Sequence, residues 1–444
     1  MTTETPITSR IRSGSTPGLL RSDRDFRWYW SGQTASFIGS QVTVTALPLI
    51  AALTLDAGPG GVGAIATASW LPNLVLPLLV GHWLEGRGKR RMMMAVDLIR
   101  AAALLAVPVA YAAGGLTVGL LAAVGFVIGV GNVFFEIGGF AYVPTLVPRD
   151  RLGEANRAMQ GSSTIAQVGG PGLAGLLVQA VGAPFAAVLD ALTYLASVVG
   201  IRAARRPEPR VHEQSRGRLR DGVALIIRDP YLRPLTVHAA MFNFAGQIFV
   251  VNLVIWIVRD NDVAPGLYGV ALAAGGAGAF VGTMLALRLA DRLGFGRAFL
   301  ASVSVSCGVP LLTVTMPWSG GNLGAGLAAL QIVACIGLGS ANVLSTTLRQ
   351  AVIPQGQLAR TVGAYRAINF GIIPLGSALA GVVGEAFGSR VGVAAGTIGM
   401  ATAALPILSP PVRRLKRLDE LDDPDGRPVT SAPQDPGPAV ATVG

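Results

Sequence analysis

Charge is scarce in this chain: Asp, Glu, Lys and Arg make up 13% of its 444 residues, against about 25% in an ordinary soluble domain. That poverty argues against a soluble enzyme, a disordered protein or a coiled coil before any motif is considered. Cysteine is scarcer still. Cys307 and Cys335 both lie in apolar runs, too few for a disulfide framework or a CxxC metal site, and they fit small buried hydrophobes. No HExxH, paired-carboxylate motif or Ser/Lys arrangement occurs, and Gly88-Lys89 lacks the upstream glycine and following hydroxyl of a phosphate-cradling loop. Enzyme activity, bound metal and resident cofactors are therefore not expected. Residues 1–25 hold no apolar core and no small-residue cleavage site, so a removed signal peptide is not expected either.

Apolar residues are abundant: 51% of the chain is hydrophobic, 58 residues are Gly, and the mean hydropathy is +0.55. They fall in twelve runs, near 28–53, 62–84, 92–112, 118–143, 161–181, 185–201, 234–258, 268–287, 298–317, 323–344, 361–383 and 392–409. Each run is close to the ~20 residues that cross a bilayer as helix. Barrel strands are half that length and alternate, which these runs do not. The chain is thus expected to be an all-α polytopic membrane protein, its backbone satisfied within each helix.

The net charge of +11 raises the possibility of nucleic-acid binding, but the placement of the charges answers it. Of 35 basic residues, 31 lie in the N-terminus and alternate loops assigned to one side, two lie on the other, and Arg100 and Arg366 sit within spans. Positive charge collects in cytoplasmic loops. Both termini are expected in the cytoplasm of a cell inner (plasma) membrane, and no nucleic-acid partner is expected.

A shift of 206 residues aligns several landmarks. Phe26-Arg27 falls on Leu232-Arg233; Glu85, Gly88 and Arg91 fall on Asp291, Gly294 and Arg297; Pro148 and Leu152 fall on Pro354 and Leu358. LAGLL at 173–177 falls on LAGVV at 379–383. Two six-helix bundles entering the membrane in the same direction follow, a parallel repeat. The boundaries read from this are a disordered tail over 1–25, bundles over 26–201 and 234–409, a linker over 202–233, and a disordered tail over 410–444. Within the linker, Leu219, Val223, Ile226 and Ile227 have helical spacing, so a short amphipathic helix on the cytoplasmic leaflet is expected.

Between the second and third spans the chain reads GHWLEGRGKRR, from Gly81 through Glu85, Gly88 and Arg90 to Arg91. Its second-half echo is LADRLGFGR, with Asp291, Arg292 and Gly294. These resemble the gate-loop signature of the major facilitator superfamily. FRWYWSGQTASFIGSQVTVTALPLI, VPRDRLGEANRAMQ, RDPYLRP and NFGIIPLGSALAG are similar to its branch of enterobactin-exporter-like and macrolide-efflux-like proteins. Gly170-Pro171-Gly172-Leu173-Ala174-Gly175 resembles the end of the motif of drug/proton antiporters; a packed, kinked helix accounts for Gly170, Pro171 and Gly175 equally well. The span-four Arg of such antiporters is absent, and Glu136 stands in that span.

Asp97, Arg100, Glu136, Asp190 and Arg366 lie within spans, where each costs at least ~2.5–3.5 kcal/mol on insertion scales unless paired or facing water. They are the proton-coupling candidates. Asp97 and Arg100 are three apart and can pair; a structural pair is the other reading. Glu136 has no base at i±3 or i±4, so it is either protonated or partnered across helices. Asp190 lies beside Thr193 and Tyr194, which suits a hydrogen-bonded structural role, or gating. Arg366 either snorkels or binds an anion, Glu136 and a substrate carboxylate included. By resemblance, the first and seventh spans line a central cavity, making Gln33, Gln41, Thr45, Asn243, Gln247 and Asn252 substrate-contact candidates; inter-helix hydrogen bonding is the alternative. His238 fits a packed core residue.

The function this implies is secondary active transport by alternating access, coupled to protons and exporting a small amphipathic molecule such as an antibiotic, drug or siderophore. Its partners are then the lipid bilayer, the small-molecule substrate and protons, with a monomeric functional unit. Proton-coupled nutrient uptake on the same fold and a non-transporting receptor or scaffold remain the alternatives.

Overall fold

A computed structural model of the chain describes residues 18–74, 76–77, 88–148, 151–204, 206, 219–317, 319–354 and 357–421. Eleven helices among them are long and apolar enough to cross a membrane. In the first half these are α1 (Arg24–Thr54), α3 (Lys89–Ala112), α4 (Val118–Leu146), α5 (Leu152–Val181) and α6 (Ala183–Ala203). The remaining first-half span begins as α2 (Pro59–Trp70); the rest of the expected 62–84 run lies largely outside the described residues. After α7 (Leu219–Arg228) come α8 (Leu232–Val254), α9 (Pro265–Leu293), α10 (Phe295–Gly308), α11 (Gly320–Val352), α12 (Leu358–Gly371), α13 (Ile373–Phe387) and α14 (Ser389–Thr402). The α12–α13 span is interrupted at Ile372, because Pro374 lacks the N–H of the regular ladder and its ring crowds the preceding turn.

Local chemistry sets the ends. Asp23 accepts from the backbone N–H of Phe26 at 2.9 Å at the start of α1, and Thr117 from that of Leu120 at 3.2 Å at the start of α4, each satisfying an orphan donor. The sharp reversals from α5 to α6 and from α13 to α14 turn on Gly182 and Gly388, both at φ 89, a region where a side chain is strained. These glycines stand 206 residues apart. So do Asp56 (φ 50) and Asp262 (φ 53), which are the two positive-φ residues other than glycine among the described residues. The duplication read from side chains therefore extends to backbone conformations that neither sequence pattern announces.

Within the first half α1 packs on α5 and α6, α3 on α4 and α6, and α2 on α4; in the second, α8 packs on α13 and α14, and α11 on α9 and α10. The halves meet along two seams, α2 against α13 and α5 against α9. Both are glycine contacts. A Cβ on Gly63 would sit 2.7 Å from the Gly381 Cα, and one on Gly175 would sit 2.8 Å from the Gly269 Cα. Such close backbone approach substitutes dispersion and packing for the missing hydrophobic drive between helices in lipid. Both seams lie toward the end of the molecule away from the termini.

Three expectations change. Residues 18–25, expected within a disordered tail, are ordered instead: Leu19–Ser22 form a short helix with Leu19 buried, and α1 begins at Arg24. The helix over 219–228 does form, but it packs on α12 and α8 rather than lying on a lipid surface alone. Gly222 brings its backbone close to Arg360, Ile226 is buried, and Asp221 pairs with Arg360 at 3.4 Å. Residues 410–421, expected within a disordered tail, instead dock on α10: Val412 and Leu415 are buried, and the N–H groups of Phe295 and Gly296 donate to Lys416 and Leu415 at 2.9 and 2.7 Å. Two apolar side chains and a glycine that admits backbone contact outweigh the surrounding charge.

Candidate functional site

The first half encloses a charged cluster. Asp97 and Arg100 share one face of α3, and Arg100 Nη1 donates to Asp97 Oδ1 at 3.1 Å with both side chains almost fully buried. Gly131 on α4 leaves room for the arginine stem, since a Cβ there would meet its Cδ at 3.0 Å. The rings of Phe135 and Tyr194 lie 5.1 and 5.2 Å from the guanidinium carbon, within cation–π range. Asp190 on α6 is buried and accepts from Thr43, and from Thr193 at 3.0 Å. The Tyr194 hydroxyl lies 3.2 Å from that of Ser40, and Gln33 donates to Ser197 at 2.9 Å. Among the described residues, Asp97 Oδ2, Arg100 Nε and Arg100 Nη2 are buried without a hydrogen-bond partner. Asp97 thus pairs with the one guanidinium while Asp190 is held by hydroxyl donors, in a site where desolvation costs several kcal/mol per ion.

The repeat tests whether the fold requires this cluster. At the positions 206 residues on, Asp97, Arg100, Asp190 and Tyr194 become Val303, Ser306, Gly396 and Met400, and Thr43 becomes Phe249. Val303, Ser306, Met400 and Phe249 are buried in their turn, and Gly396 packs against the Phe249 backbone. The second bundle builds the same helix arrangement from largely apolar residues. The second half thus builds this arrangement without the buried charges of the first.

A second constellation spans the halves. Glu136 on α4 and Arg366 on α12 form an ion pair across 230 residues of sequence, with side chains 54% and 52% exposed. The partner Glu136 lacks on its own helix is thus Arg366, and the space around the pair is open. The Arg366 guanidinium also lies 5.6 Å from the Phe370 ring, and Phe370 stacks on Trp70 from α2 at 6.2 Å and 9°. This aromatic bridge between halves escaped the sequence reading: Phe370 lies in a quoted motif, but nothing local marks Trp70.

The polar candidates separate by position. Gln33, Thr45 and Asn252 are buried. Thr45 donates to the Gln41 carbonyl at 3.1 Å, and Asn252 to those of Ile248 and Ala380 at 2.9 and 3.0 Å. Asn243 donates to the Asn369 carbonyl at 3.2 Å, and Gln247 accepts from Ser377 at 3.2 Å; both are half-buried. Gln41 and Gln247 are repeat-related and face the equally related Gly170 and Gly376. Pro171 and Gly175 lie in the α5–α9 seam, beside Gly269.

Gly81 and Glu85 of the gate motif lie outside the described residues. Gly88 precedes α3, Arg91 is exposed, and Arg90 donates to the carbonyls of Ile201 and Arg202 at 3.0 and 2.7 Å, satisfying acceptors at the end of α6. In the echo, Asp291 and Arg292 are exposed and Gly294 has φ 84.

At the end away from the termini, Asp56 and Arg259 pair across the halves at 3.0 Å, and the N–H of Gly60 donates to Glu385 at 3.1 Å. The two seams and these contacts close that end, while the Glu136–Arg366 pair stands in open space nearer the other.

Residues 18–434 match a family of transmembrane secretion effectors. The multidrug efflux pump Tap of Mycolicibacterium fortuitum is 24% identical over 402 residues, covering 87% of this chain and 95% of that protein. YvqJ of Bacillus subtilis (strain 168), an MFS-type transporter, is 24% identical over 374 residues, 78% of this chain and 84% of that one. Among solved structures, a bacterial homologue of the iron transporter ferroportin matches in its inward-facing state with a TM-score of 0.69, at 16% identity and over 87% of this chain and 98% of that one. The outward-facing state of a ferroportin homologue matches with a TM-score of 0.57, at 15% identity and the same coverage.

Proposed function

The chain belongs to the transmembrane secretion effectors of the major facilitator superfamily, and from that premise we propose that it is a proton-coupled exporter of a small amphipathic molecule. That it is a multi-pass membrane transporter of two six-helix bundles, and not an enzyme, follows from the family. Export rather than uptake draws support from the efflux pump among its relatives. Orientation with both termini cytoplasmic rests on the 31 basic residues of that side. In that orientation the sealed seams face outward and the Glu136–Arg366 space opens to the cytoplasm. The higher TM-score against the inward-facing ferroportin homologue, 0.69 against 0.57, supports the same assignment.

The observation that carries the coupling proposal is the half-exposed Glu136–Arg366 pair between the halves. A proton on Glu136 removes the charge that holds Arg366, releasing α4 from α12 and leaving the guanidinium free for a substrate anion or for Phe370. Water in the open space supplies the proton path. The buried Asp97–Arg100–Asp190 cluster, absent from the second half, is the other place where the first bundle holds charge at a cost, and it is assigned to the same coupling. The aromatic bridge of Trp70 and Phe370 offers an apolar surface beside the ion pair, the chemistry of an amphipathic substrate.

The test is Glu136→Gln in vesicles loaded with a fluorescent amphipathic drug under an imposed pH gradient. Loss of pH-driven flux with drug binding retained is expected. Undiminished flux refutes Glu136 as the coupling carboxylate.

A further inference from the structure

On the outer side of the α2–α13 seam lies a groove of about 780 Å³ whose walls belong to opposite halves. Ala64 and Ala68 of α2 and Leu71 just after it line one wall, and Ala378, Val382 and Ala386 of α13 the other. The α13 residues packed toward α8, Gly376 and Gly384 among them, occupy the other side of that helix, so the groove faces lipid. From Gly60 to Leu71 it runs eleven residues along α2, ~16 Å of helix. The hydroxyl of Thr67, also in the wall, is committed to the Gly63 carbonyl at 2.7 Å. The charged group of the groove is Glu385, two residues from the end of α13 and therefore at headgroup depth. Glu385 Oε2 accepts from the Gly60 N–H at 3.1 Å, and among the described residues it has no ion-pair partner.

The repeat supplies a comparison. In the α5–α9 seam the counterpart of Glu385 is Gln179, and its amide oxygen lies against Gly266, the counterpart of Gly60. A neutral amide thus occupies the same place at the sister seam, so that place does not call for a negative charge. The sister seam also has Val270 where the groove has Ala64, and Leu176 where it has Val382. The sister seam thus has a neutral amide for the carboxylate and bulkier side chains at two wall positions.

We infer that this groove binds a phospholipid with a primary-amine headgroup, its ammonium on Glu385 and one acyl chain along the trough. The carboxylate favours a cation that brings N–H donors, because a charge-assisted hydrogen bond is the stronger kind. A quaternary choline has no N–H to give, and an anionic headgroup is repelled. Since the walls belong to separate halves, the bound lipid bridges them where they seal. The inference goes beyond the transport reading and stands without it.

The test uses purified full-length protein titrated with phosphatidylethanolamine, phosphatidylcholine or phosphatidylglycerol, bound lipid being counted by native mass spectrometry. Wild type is expected to hold phosphatidylethanolamine on the order of tenfold more tightly than phosphatidylcholine, the weight of one charge-assisted hydrogen bond. Glu385→Gln abolishes that preference, and Ala64→Val weakens both lipids; each copies the sister seam and is expected to fold. Equal affinity of wild type for the two lipids, or an undiminished preference in Glu385→Gln, overturns the inference. Should either variant misfold, stepwise N-methylation of the lipid on wild type decides: affinity must fall when the last N–H is lost, between the dimethyl and trimethyl headgroups, and a flat series overturns it. None of these readouts involves flux, so their failure is separate from failure of the proton-coupling proposal.

Discussion

Replacing Arg100 by Met leaves the Asp97 carboxylate buried without its ion-pair partner. The Arg100 and Asp97 side chains are 3% and 0% exposed, so water cannot screen the loss, and breaking such a buried pair costs ~3–5 kcal/mol. That is roughly two to four powers of ten in the folding equilibrium, at 1.36 kcal/mol per power. Removing both partners is a different perturbation. Asp97→Val with Arg100→Met places at residue 97 the side chain the second half has at Val303, and Met fills the slot beside Gly131 with a flexible apolar chain. The double variant should recover to within ~1 kcal/mol of wild type, because exchanging a buried ion pair for apolar residues is often neutral or better. The assay is unfolding of the purified protein by titrated denaturing detergent, run as a double-mutant cycle, with pH-driven flux measured on the same preparations. Flux should be lost in the double variant although its stability is restored. A double variant as unstable as Arg100→Met would mean the fold needs the cluster after all, and full flux in a stable double variant would remove it from the coupling.

Other outcomes follow from the seams and the bridge. Gly63→Leu should force α2 from α13, since even a Cβ would lie 2.7 Å from the Gly381 Cα; spin labels flanking Asp56 and Arg259 should report a longer distance, and an unchanged one would refute the closed seam. Arg259→Gln should cost under ~1 kcal/mol of stability in the detergent titration, because its partner Asp56 is 84% exposed and exposed pairs contribute little. Trp70→Ala should lower drug affinity in equilibrium binding by the ~0.5–1.5 kcal/mol typical of an aromatic pair, with proton-driven coupling retained.

The parts of this molecule that depend on neighbours in sequence were legible without coordinates. Apolar run length located the spans, and the pairing of Asp97 with Arg100 three residues on was visible because one helical turn decides it. Glu136 could be seen to lack a local partner, but choosing Arg366 requires knowing that α4 faces α12. The contact of Asp190 with Thr43 likewise joins residues 147 apart, and no periodicity carries that information. Glycines were counted but not ranked: Gly63 and Gly175 separate the halves from other glycines only once two helices are laid together. The offset of 206 proved more informative than any single motif, because it provides an internal control for every residue that differs between the halves.

The α5–α9 seam also has a mechanical meaning. Gly175 lies six residues from Val181 and twenty-three from Leu152 in a 30-residue helix, so contact divides α5 into arms of ~9 and ~35 Å. If the bundles turn about that contact as rigid bodies, travel at the near end is multiplied about fourfold at the far end. A parting of the sealed face by little more than a side chain's width is then matched by a swing large enough to shut the opposite mouth. In such a turn the glycines would be the fulcrum, and their smallness would keep it sharp.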